Sequence, residues 1–318
     1  MRHVGGTARA GRRETAKLLN PSIALLLQHS KATTPEDAVR SEARRVTDYA
    51  RTLGWSGPPF DLTQLASVLG IQERAVRGME QDALIRPRAD AKGFEILWNP
   101  DVPETRRNFT FGHEITHTFF PDCATAIQYR EPLHKCDPKK PVEILCDLGA
   151  AELLLPLAEF SGHVNELGVS LATVDSLRRT YVASREAVAR RIATVTPEPC
   201  AFAFVSRRLS PREVEASRQL RFPGGEGPRP KYRVDMLFAS ASFAGERLPQ
   251  HKSVPDESCV YRAEAQEDSF VERISEAVEV WPSGHGNLPR CHVQAMAIPS
   301  GGDAAPRALA LLVQKRSR

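Results

Sequence analysis

The sequence predicts an α+β protein of more than one domain, mostly helical up to about residue 198 and mixed α+β after it. Three observations carry this. The chain has 318 residues, about 150 beyond one average domain. Hydrophobic residues make up 41% of it, enough for sizeable cores and too many for global disorder. At Pro197 and Pro199 the texture changes from helical periodicity to short β-like runs.

The elements before that break follow from local signals. The first 34 residues carry Arg2, Arg9, Arg12, Arg13, Lys17 and Lys31 against Glu14, and read as a basic flexible tail. Pro35 to Gly54 is an amphipathic helix capped by Thr34, with Ala38, Ala43, Val46 and Leu53 near one face. Asp61 to Leu69 is a second helix, closed by Gly70. Phe94 to Trp98 alternates as a strand and ends in the turn signal Asn99-Pro100. A helix opens near Pro103-Glu104 and runs to about Phe120, where Pro121 stops it. After a polar, proline-rich loop, Val142 to Leu155 is helical, and Pro156 closes it. Ser170 to Arg179 and Ser184 to Thr194 form a helix pair around Tyr181-Val182-Ala183.

Beyond the break, Cys200 to Val205, Tyr232 to Phe238, Ala277 to Val280, Cys291 to Ile298 and Leu309 to Val313 read as strands. Leu209 to Leu220 and Glu264 to Ser275 read as helices between them.

Composition excludes several classes. The formal charge of +4 is too small for a chain whose whole surface grips nucleic acid. No stretch approaches the roughly 18 to 20 apolar residues that span a bilayer. Six cysteines without CxxC spacing read as reduced thiols, which points to the cytoplasm.

One segment carries chemistry: Phe109-Thr110-Phe111-Gly112-His113-Glu114-Ile115-Thr116-His117. Residues four apart share a helix face, so His113 and His117 can reach one ion. Neutral imidazole suits zinc, and manganese or iron can occupy the same shell in vitro. Glu114 lies about 100° round the helix, placed to contact a water rather than to ligate. The apolar neighbours Phe109, Phe111, Ile115, Phe119 and Phe120 would form a water-excluding wall. A catalytic zinc wants three protein ligands. Glu143, which opens the next helix, is the expected third, and Asp147 one turn on can orient a histidine from behind. Glu152 points to the opposite side and reads as a solvated or structural carboxylate. Cys146 could lie near the ion, but reads as a small buried hydrophobe.

With these residues the sequence resembles the ImmA/IrrE zinc-metallopeptidase family, and within it the IrrE (PprI) branch of radiation-response regulators. The resemblance rests on Phe-Thr-x-x-His-Glu-Ile-x-His followed by Glu-x-x-Cys-Asp-x-x-Ala-Ala-Glu-Leu-Leu-x-Pro, and extends over about residues 35 to 195. It implies zinc held by His113, His117 and Glu143, with Glu114 catalytic. Thr116 stands where many members have glycine, and Asp147 where many have asparagine.

After the basic tail at 1–34, the resemblance further implies a mostly helical, zincin-like peptidase domain with a small sheet at 35–160. A helix-turn-helix-like segment at 161–198 and a GAF-like α+β regulatory domain at 199–318 would follow. It implies a substrate too, a helix-turn-helix repressor of the XRE type whose cleavage induces a stress or DNA-damage response.

Two other readings remain open. Arg178, Arg179, Arg185, Arg190 and Arg191 outweigh Asp175 and Glu186, so the helix pair could engage DNA in a transcription regulator with a structural metal. Alternatively residues 200 to 318 could make the chain a non-catalytic sensor. Tyr129 and His134 are among the residues that could stabilise an oxyanion, with none preferred.

Overall fold

The computed structural model describes residues 20–90, 92–128, 140–219, 227–243, 248–264, 274–284, 286–299 and 305–314. Contacts divide the chain into two compact units, one of residues 1–157 with 179–184, the other of 158–178 with 185–318. The change of texture at Pro197 and this division at Leu157 thus mark different properties of the chain. No described helix is long and apolar enough to cross a membrane.

In the first unit, helix α1 (Pro21–Ser30) comes first. This differs from the expectation of a flexible tail over 1–34. Pro21 starts the helix, Asn20 caps it by accepting from Ser22 N, and Ile23 and Leu26 are buried. Two buried aliphatics per two turns anchor a helix that net charge alone does not reveal. Helix α2 (Pro35–Thr52) follows, with Thr34 Oγ1 accepting from Asp37 N at 3.1 Å. Helix α3 (Leu62–Val68) is capped by Asp61 and ends before Gly70, whose φ of 73° suits glycine.

Strands β1 (Gln72–Ala75), β2 (Ala83–Pro87) and β3 (Phe94–Trp98) form a sheet in the order β1-β3-β2. β1 runs parallel to β3, and β2 antiparallel to it with Ile85 opposite Ile96. Helix α4 (Glu104–His117) packs on this sheet, and the short α5 (Cys123–Gln128) follows. Helix α6 (Pro141–Leu154) lies between α4 and α2. It is apolar on nearly all sides because it is covered on both.

In the second unit, α7 (Leu157–Leu167), α8 (Leu171–Thr180) and α9 (Arg185–Val195) precede strand β4 (Cys200–Arg208) and helix α10 (Pro211–Gln219). Strand β5 (Lys231–Ala239), helix α11 (Cys259–Glu264) and strands β6 (Ser275–Glu279), β7 (Cys291–Ile298) and β8 (Arg307–Gln314) complete it. The five strands form one antiparallel sheet in the order β5-β4-β8-β7-β6. β4 is an interior strand between β5 and β8, and its first six residues are buried on both faces. One face packs Val205, Val234, Val293 and Leu312 against Val260, Trp281 and Leu288. Helix α9 packs against β4 and β5, and the Arg190 guanidinium sits 4.6 Å from the Phe238 ring centroid. Most of the helix expected at Glu264 to Ser275 lies outside the described residues.

Candidate metal centre

Two glycines let α4 and α6 approach closely enough to build the site. A Cβ on Gly112 would stand 3.0 Å from Ala150 Cα, and one on Gly149 would stand 2.9 Å from Thr116 Cβ and overlap the rest of that side chain. Thr116 is fully buried, and its Oγ1 donates to Gly112 O at 2.7 Å, the carbonyl one turn back. A threonine at that position is therefore accommodated by the glycine that faces it.

This crossing brings His113, His117, Glu143 and Asp147 together. His113 Nε2 lies 3.1 Å from Glu143 Oε2, and His117 Nε2 lies 3.7 Å from the same oxygen. The opposite ring edges meet other groups on α6. His113 Nδ1 is 2.9 Å from Asp147 Oδ1, and His117 Nδ1 is 3.2 Å from Cys146 Sγ. Both rings are thus oriented from behind through Nδ1 and present Nε2 to one carboxylate oxygen. Ligands on a four-coordinate zinc with bonds near 2.1 Å stand about 3.4 Å apart, and the two distances bracket that value.

The side chains His113, His117 and Cys146 also bring ligand atoms within 4.8 Å of one another, which makes the thiol a second candidate donor. Orientation favours Glu143. Its oxygen meets the Nε2 atoms of both rings, whereas the thiol meets the Nδ1 edge of one. The Asp147–His113 contact is the carboxylate–imidazole arrangement that holds a metal-binding tautomer. A set of two imidazoles and a carboxylate suits zinc.

Glu114 is buried, and its Oε2 accepts from Ile85 N on β2 at 2.9 Å. β2 pairs with β3 on its other side, so this bond fixes the carboxylate against the sheet edge. Burial opposes a charge on His113, but the hydrogen bonds to Asp147 and Glu143 and the charge of Glu114 outweigh it, raising the pKa to about 10. Three carboxylates near one imidazole favour its charged form.

Glu152 does not reach this centre. It is buried on the far side of α6, with Oε1 3.5 Å from Arg40 Nε on α2, and so is structural rather than solvated. The contact of Cys146 with His117 went beyond the role of buried hydrophobe expected for it. Its signal was its place three residues after Glu143, on the same helix face. The Ile85 bond to Glu114 had no signal in sequence. Tyr129 and His134 lie outside the described residues.

Residues 74–193 match the Peptidase_M78 family, the IrrE N-terminal-like domain. The matched stretch holds the end of β1, β2, β3 and both helices of the centre, and agrees with the resemblance read on the motifs from Phe109 to Pro156. Among solved structures, a Mycobacterium tuberculosis transcriptional regulator is similar in fold. It is 18% identical with a TM-score of 0.52, over 92% of this chain and 80% of that one. No curated protein matches the chain.

Proposed function

We propose that this protein is a zinc-dependent endopeptidase that cuts a helix-turn-helix repressor of the XRE type and so induces a stress or DNA-damage response. The observation that carries the enzymatic part is the convergence of His113 Nε2 and His117 Nε2 on Glu143 Oε2, beside the buried Glu114. His113, His117 and Glu143 would hold the metal. Zinc in such a site polarises a carbonyl oxygen and lowers the pKa of water. Glu114 takes the proton from the attacking water and passes it to the leaving amine. Its bond from Ile85 N holds one oxygen in place while the other carries the proton. The Phe111 and Ile115 side chains beside it are buried and keep water from the back of the helix.

Residues 199–318 would regulate this activity as a GAF-like sensor domain. The repressor substrate follows from the family resemblance, and the regulator title of the M. tuberculosis neighbour is consistent with a role in transcription.

Direct DNA binding with a structural metal is the competing reading. The arginines that suggested it are largely engaged within the fold. Arg178 and Arg185 both meet Asp175, Arg190 lies over Phe238, and Arg191 is buried. That supports the peptidase reading, because a groove-reading helix needs its arginines facing outward.

Glu114→Gln tests the proposal. Metal content and fold should persist, and cleavage of the repressor substrate should fall by about 10² to 10⁴. Unchanged cleavage would refute the mechanism, and a salt-dependent shift of duplex DNA by the same protein would put the regulator reading ahead.

A further inference from the structure

A second cleft of about 360 Å³ lies in the first unit, bordered by Trp98 on β3, Glu73 on β1, Asp61 before α3, and Glu104, Arg107 and Asn108 on α4. It is separate from the metal centre. Arg107 precedes His113 by six residues, about 9 Å along the helix axis, and the cleft borders β1 and β3, whereas Glu114 faces β2.

Two buried donors set this cleft apart. Among the described residues no group accepts from Trp98 Nε1 or from Arg107 Nε. Buried N–H groups are nearly always paired, with protein, water or a ligand. These two belong to neighbours: the Arg107 guanidinium carbon is 5.3 Å from the Trp98 ring centroid. The indole is fixed from behind by Phe111, its ring centroid 6.1 Å away in an edge-on contact. Arg107 is the movable member, partly exposed and held by Glu104 only at 3.8 Å. Both N–H groups are buried as they stand, so a ligand in the cleft reaches them only if the Arg107 side chain swings aside. Three carboxylates, Asp61, Glu73 and Glu104, line the same space against one arginine.

Charge of both signs within a space of this size selects a small ligand with both signs. We propose that this cleft binds a free α-amino acid, its carboxylate accepting from Trp98 Nε1 and Arg107 Nε and its ammonium facing Glu73 and Glu104. A simple carboxylate would be repelled by the acidic lining, and a simple amine would leave the two donors unpaired. A cleft of about 360 Å³ falls in the range of small-molecule sites.

The test is ligand-observed NMR and calorimetry on the full chain with glycine, alanine, serine, leucine, glutamate and arginine, and with acetate and methylamine as single-charge probes. At least one amino acid should bind saturably, with acetate and methylamine at least tenfold weaker. Trp98→Phe keeps the ring and removes the donor, and should weaken the amino acid about tenfold at unchanged metal content. Glu73→Gln, on an exposed strand, decides the case if the tryptophan variant is unstable. It should weaken amino-acid binding severalfold and leave acetate no weaker. Absence of saturable binding for every amino acid, equal affinity for acetate, or affinity unaltered by Glu73→Gln would overturn the proposal.

Discussion

His113 Nε2 stands 3.1 Å from Glu143 Oε2, although the two residues are thirty positions apart and on different helices. Their meeting depends on the α4–α6 crossing, and it defines where a cation would sit. Cys146 offers the alternative third donor, so substitution separates the two. Glu143→Ala should abolish stoichiometric zinc, as should His117→Ala. Cys146→Ala should retain one zinc per chain, because its thiol meets only the outer edge of His117 among the contacts that define the centre. Metal analysis after dialysis reads all three. Zinc kept by Glu143→Ala and lost by Cys146→Ala would make the thiol the ligand.

The raised pKa of His113 fixes a pH dependence. In the metal-free protein the folded pKa is about 10 against 6.5 unfolded. The protonated ring therefore adds stability that is fully present below about pH 6.5 and is lost as pH rises through about 10. Metal needs the neutral ring, so binding must expel that proton. Apparent zinc affinity should rise about tenfold per pH unit from 6.5 to 8.5, measured by chelator competition. Asp147→Asn removes the largest favourable contact and should flatten the slope by bringing the His113 pKa down. A slope near zero in the wild type would show that His113 is already neutral.

Much of this was legible in the sequence because it rests on local rules. The i,i+4 histidines, the strand Phe94–Trp98 and the C-terminal strands follow from periodicity, and Glu143 and Asp147 from helical spacing. What escaped depends on tertiary pairing. β1 is polar and exposed along its length, so it has no alternation to detect and exists through its pairing with β3. β2 is five residues long and ends in Pro87, a proline tolerated at an edge. Helix α1 carries no Lys or Arg, and it was passed over because the basic residues flanking it, Lys17 and Lys31 the nearest, set the reading of the whole 1–34 stretch. The role of Gly149 needed the partner helix, since nothing in its own segment shows that Thr116 lies against it.

That contact makes a prediction of its own. Gly149→Ala places a methyl group within the volume of Thr116 and should destabilise the protein by about 1–3 kcal/mol, as overpacked cores do. Thr116→Gly should cost stability through backbone freedom in the helix. In the double variant the clash is gone, so the two effects should add to less than their sum. Thermal unfolding of the four proteins gives the coupling. Strict additivity would mean the helices slide apart without penalty and that the crossing is not fixed by this pair.

The last prediction concerns how much of the chain the peptidase needs, which we take to be its domain with the helical appendage up to about residue 195, ahead of the break at Pro197. Contacts assign 179–184 to the first unit, although the helices on either side belong to the second. The reason is Tyr181, fully buried with its ring stacked 6.1 Å from Phe60, together with Asn108 Nδ2, which donates to Val182 O at 3.3 Å. A chain stopped at Leu157 loses both. Removing a buried aromatic side chain costs roughly 3–5 kcal/mol, so that truncation should melt on the order of 10 °C lower than one stopped at Pro197. The longer piece keeps Tyr181 but strips α9 of β4 and β5, leaving Val188 and Ile192 without the sheet they pack near. It should fold, bind one zinc and retain some cleavage, while amides of α9 exchange rapidly with deuterium. Equal melting temperatures for the two truncations would deny Tyr181 its role. An insoluble 1–197 piece would show that the sheet of the second unit is needed for folding, and the boundary at Pro197 would have to be abandoned.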